Sequence, residues 1–113
     1  MSQAYDDYIQ RKEAYDGATD AIQRLVNELR SFAAPLLTDW SKCYIQLPGQ
    51  NVPMGMAKRK AIDRTKMPQV QDLHRALVAQ FNAQEEAHKA WMSLPSPERD
   101  NLKPPPWLVR RTS

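Results

Sequence analysis

Two histidines, one cysteine and thirteen carboxylates are the side chains that could do acid–base or metal chemistry, and their spacing does not assemble a site. His74 and His88 stand fourteen residues apart. On one helix that is nearly four turns, so they share a face but lie ~21 Å apart along the axis. They cannot ligate one ion within a single chain, and no nearby carboxylate pattern supports a site shared across an antiparallel dimer. The expectation is an exposed His74 and a half-buried, hydrogen-bonded His88. A minor reading keeps a small-molecule or metal site between helices near Gln84, His88 and Trp91.

General acid–base work needs carboxylates converging in a cleft, whereas Asp6/Asp7 and Glu85/Glu86 are adjacent pairs that point apart on helices. No serine occupies a strand–turn–helix elbow. Cys43 is the single cysteine and sits beside Tyr44, which reads as a small core residue rather than an activated thiolate. None of the three glycines forms a G-x-G or phosphate loop. No catalytic residue, cofactor or metal is expected, and the chain is not read as an enzyme.

The densest charge is Lys58, Arg59, Lys60, Arg64 and Lys66, five cations within nine residues. Such a cluster can contact nucleic-acid phosphates with steep salt dependence, but it lacks aromatic residues for base stacking. The alternative is a solvated basic connector. Arg110 and Arg111 join the cluster only if the tail folds back. Pro104–Trp107 with Leu108 and Val109 is extended and apolar, suited either to packing across its own bundle or to docking in a partner's groove.

The elements that must carry these residues are helices. Tyr8, Tyr15, Ile22, Leu29 and Leu36 repeat every seven residues, interleaved with Ala4, Arg11, Ala18, Leu25 and Phe32. That spacing places one stripe on a long helix and requires another helix against it. Arg11 in the seam either sets register or stands in water. The helix is predicted over ~3–34, with Ser2 as N-cap and Asp6 and Asp7 near its positive end. Gly17 inside it costs about 1 kcal/mol and marks a bend or a close neighbour.

Pro35 is expected to end that helix, or only to kink it, before a short helix over ~36–46. A strand over Lys42–Leu47 is the competing reading. Residues 48–56 are a loop, and Ala57–Lys66 is a basic stretch of a helical turn or two. Pro68 opens a second long helix over ~69–93. Its apolar line is Val70, Leu73, Leu77, Phe81, Gln84, His88 and Trp91, flanked by Ala76, Ala79, Ala83, Ala87 and Ala90. Those alanines reflect either close packing by a neighbour or simple helix propensity. Ser96 is expected to cap a last short helix over ~97–102, before the Pro-rich tail 103–113.

A chain of 113 residues with 42% hydrophobic content supports one helical domain with a modest core. The net charge of +3 is uneven: residues 58–66 carry five basic groups and one acid, while residues 1–33 carry four and six. The polar, acidic start is not a secretory signal, and no apolar run spans a bilayer, so a cytoplasmic location is expected. The predicted fold is all-α: an antiparallel long-helix hairpin with two short helices, completing a four-helix arrangement as a homodimer. Tyr5, Tyr8, Phe32, Leu36, Trp40, Phe81 and Trp91 form most of the core or interface. The interface set is Tyr8, Tyr15, Ile22, Leu25, Leu29, Phe32, Leu36, Phe81, Trp91 and Trp107. The function that remains is non-enzymatic protein–protein interaction or assembly, with nucleic-acid association through residues 58–66 as the alternative.

Overall fold

The computed structural model describes residues 2–108, so Val109, Arg110 and Arg111, which entered the reading of the tail, lie outside the described residues. The fold is all-α. Two long helices, α1 (Gln3–Asp39) and α2 (Val70–Met92), are followed by the short α3 (Ser96–Asp100). Between α1 and α2 run three single 3₁₀ turns and two strands of two residues each, β1 (Cys43–Tyr44) and β2 (Lys60–Ala61). These pair in parallel, with Cys43 opposite Lys60 and Tyr44 opposite Ala61.

The residues form two compact units, one of residues 22–74 and one built from both ends of the described chain, 2–21 with 75–108. Both long helices contribute to both units.

The two-ended unit is a helical hairpin locked by aromatic rings. Ser2 caps α1 as expected: its Oγ accepts from the Tyr5 N–H at 3.2 Å. The same hydroxyl donates to Glu98 Oε2 at 2.6 Å, and the Ser2 N–H donates to Glu98 Oε1 at 3.2 Å. The start of α1 is thereby tied to α3. One turn further in, Tyr8 meets Trp91 with ring centroids 5.3 Å apart. Tyr15 meets Trp107 edge-on at 4.8 Å. Rising numbers on α1 face falling numbers on α2, the expected antiparallel pairing.

Ala87 and Ala90 are buried between these rings, so the small residues make room for aromatic side chains. Ala79, on the same line, is exposed. Arg11 neither enters a dry seam nor stands free in water: it joins Asp7 at 3.1 Å and crosses to Glu86 on α2 at 3.0 Å. No neighbour approaches Gly17, where an added Cβ would meet open space.

Three boundaries depart from expectation. Pro35 does not stop α1, which continues to Asp39. The proline removes only its own N–H to Ser31, and four residues beyond it keep helical geometry. Two carbonyls in this last stretch of α1 accept locally. The Thr38 hydroxyl donates to Ala34 O at 2.9 Å, and Cys43 Sγ–H donates to Asp39 O at 3.3 Å. No separate helix over 36–46 follows; one 3₁₀ turn, Trp40–Lys42, leads into β1, the extended alternative. Ser96 does not cap α3. Pro95 occupies that position without a side-chain cap, its carbonyl accepting from the Arg99 N–H at 3.0 Å, so the helix runs 96–100 rather than 97–102.

Candidate interaction surfaces

In the 22–74 unit the apolar side chains are displayed more than enclosed. Cys43 and Pro68 are its only buried residues. The predicted stripe residues Ile22, Leu25, Leu29, Phe32 and Leu36 are all half-buried. Beyond them Leu37 is 82% exposed, Trp40 70%, Met54 89% and Val70 76%.

The other unit divides the remaining predicted interface residues. Tyr8, Tyr15, Trp91 and Trp107 lie inside its own core. Phe81 stands out in solvent with Leu77 and Val78. The tail packs on its own hairpin as far as Leu108. Trp107 is fully buried against Tyr15 and Ala87, and its Nε1–H donates to His88 Nδ1 at 3.1 Å. His88 is thus half-buried and hydrogen-bonded, and His74 is exposed, both as the sequence implies. The Trp107 bond occupies one nitrogen of the minor site considered around Gln84, His88 and Trp91. Among the described residues no group of three His, Cys, Asp or Glu is placed to hold a metal. No described helix is long and apolar enough to cross a membrane.

The basic segment is not a continuous helix. Lys58 ends one 3₁₀ turn, Arg59 leads into β2 at Lys60, and Arg64 and Lys66 lie on a second turn. Lys58, Lys60, Arg64 and Lys66 are exposed and Arg59 is half-buried. Among the described residues no carboxylate pairs with any of the five within 4 Å. The acid within the segment, Asp63, is engaged otherwise. Its carboxylate accepts from the Thr65 hydroxyl at 2.6 Å and the Thr65 N–H at 3.0 Å. Those bonds, with Lys66 and Arg64 nearby, hold its pKa below the usual carboxylate range.

Two grooves flank Lys60 and share Ser31 and Pro35. One, of about 280 Å³, is floored by Phe32 and Ile62 with Lys66 at its rim. The other, of about 550 Å³, is lined by Ala34, Cys43 and Lys42. Cationic side chains over apolar floors are not legible in the sequence, because the parallel β1–β2 pairing that sets Lys60 beside Cys43 has no local signal.

A scan against protein-family models, a search of curated proteins and a search of solved structures each return no match for this chain. Function has to be read from these surfaces.

Proposed function

We propose that this chain is a non-enzymatic helical interaction protein whose 22–74 unit is completed by another protein surface, and that a second copy of the chain supplies it. The observation that carries this reading is the unit's burial of Cys43 and Pro68 alone while Leu37, Trp40, Met54 and Val70 stand in solvent. Covering four such side chains is worth roughly 6–12 kcal/mol. Association itself costs about 4–15 kcal/mol. Apolar burial therefore brings two copies to balance, and polar complementarity decides how tightly they hold.

Light scattering over a concentration series, at low and high salt, tests self-association. The expected mass is at least twice the 13.0 kDa of one chain. A mass of 13.0 kDa at every concentration refutes self-association.

A second reading, contact with nucleic-acid phosphates, is favoured by one observation, that none of Lys58, Arg59, Lys60, Arg64 and Lys66 pairs with a described carboxylate. It predicts retention on DNA or RNA that weakens with salt and is lost when Lys58, Arg59 and Lys60 become Glu.

A further inference from the structure

The two units carry opposite charge. Residues 22–74 hold eight basic and four acidic side chains, a balance of +4. The described residues of the other unit, 2–21 and 75–108, hold six basic and nine acidic, a balance of −3. Building on the self-association proposed above, we propose that copies of this chain associate through unlike units, the acidic flank of α1 in one copy lying against the Lys60–Lys66 surface of another.

Asp6, Glu13 and Asp20 recur every seven residues on α1, all exposed. At ~1.5 Å per residue they form a line of carboxylates ~21 Å long. Helical periodicity of 100° per residue sets this line on the side of α1 opposite Tyr8 and Tyr15, which are buried in the core of the unit. Asp7 and Asp16 are paired locally with Arg11 and Lys12. Asp6, Glu13 and Asp20 have no such cation among the described residues.

The basic surface shows the same lack of partners. Lys60, Arg64 and Lys66 are exposed without an ion pair among the described residues, and Lys60 and Lys66 rim the groove floored by Phe32 and Ile62. Like units set face to face would bring +4 against +4, and like charges across an interface cost several kcal/mol. The described residues of unlike units bring +4 against −3. The charges thus choose which surfaces meet, and the groove lined by Phe32 and Ile62 lies within that contact.

The test is a paired charge swap. In one variant Lys60, Arg64 and Lys66 become Glu, giving the 22–74 unit a balance of −2. In the other Asp6, Glu13 and Asp20 become Lys, giving the second unit +3. Each variant alone then presents like charge at the unlike-unit contact, and its self-association weakens at least about tenfold by light scattering. Mixed one to one, the two variants again present opposite charge at the contact between their altered surfaces, and the mass of the complex returns. Association of the unaltered protein falls as salt approaches 1 M, where the screening length is ~3 Å.

Helicity by circular dichroism distinguishes loss of contact from loss of fold. If it collapses, the single swaps Lys60→Glu and Glu13→Lys replace the triples. A monomeric unaltered protein overturns both this inference and self-association. If the unaltered protein associates but either variant alone associates as tightly, or the mixture fails to recover, the unlike-unit contact alone is overturned.

Discussion

Replacing His88 with Leu removes the acceptor from a fully buried indole N–H. Trp107 is 1% exposed, and the donor it directs at His88 Nδ1 lies 3.1 Å away. An orphaned buried donor costs about 1–3 kcal/mol. Because His88 is half-buried, water reaches part of the vacated site, so the expectation is the lower part of that range, about 1–2 kcal/mol. For a chain of this size each kcal/mol lowers the melting temperature by ~4 °C, giving a fall of roughly 4–8 °C. Packing loss is separated from hydrogen-bond loss by a double-mutant cycle with Trp107→Phe, which deletes the donor while keeping a ring beside Tyr15. In the Trp107→Phe background the His88→Leu change has no donor left to orphan, and its cost falls by about 1 kcal/mol or more. Urea unfolding followed by tryptophan fluorescence and circular dichroism supplies all four stabilities. A coupling energy of zero, or a His88→Leu protein as stable as its parent, refutes the claim that this bond holds the tail.

Gly17→Ala should stabilise by about 1 kcal/mol, since the glycine lies inside α1 and an added Cβ meets open space; an unchanged or lower melting temperature contradicts that. Ala87→Leu should destabilise by about 1–3 kcal/mol in denaturant melts, because the fully buried Cβ already lies among Tyr15, Trp107 and its own helix. Burial of Tyr8, helped by the negative charge of Asp16, raises its phenol pKa above the ordinary value. The folded state therefore binds that proton more tightly than the unfolded chain does. The associated stability is complete below the unfolded value near pH 10 and is lost as pH climbs through the folded one. Stability measured across that alkaline window should fall less for Tyr8→Phe than for the parent, and equal losses would show that Tyr8 does not drive the change.

Where helical periodicity alone decides burial, the sequence is readable. Tyr8, Tyr15 and Trp91 fall on the apolar lines of two helices and are buried as those lines imply; Ser2 caps α1 because a hydroxyl there has a free N–H to accept. Periodicity says which way a side chain faces, not whether anything arrives to cover it. Ile22, Leu25, Leu29, Phe32 and Leu36 continue the same repeat yet stay half-buried. Pro35 escapes a sequence reading because the harm of a proline depends on whether the single bond it forfeits is missed, which is a property of the surroundings. The β1–β2 pair joins residues seventeen positions apart with no alternation to announce it. Segregation of charge between the units is hidden for a topological reason, since nothing local says that residues 2–21 and 75–108 belong together.

That topology bears on how the molecule comes into being. The bond between Ser2 and Glu98 closes a loop of 96 residues, and the partners of Tyr8 and Tyr15 are Trp91 and Trp107. A ribosome makes Tyr8 and Tyr15 well before Trp91 and Trp107, so the N-terminal half of α1 waits with its aromatic stripe uncovered until the residues that seal it emerge. The 22–74 unit, built from one continuous stretch, can be finished first. In polysomes nascent chains stand close together, each showing an uncovered stripe and an exposed basic surface. That is the stage when exposed apolar surface is most prone to wrong partners.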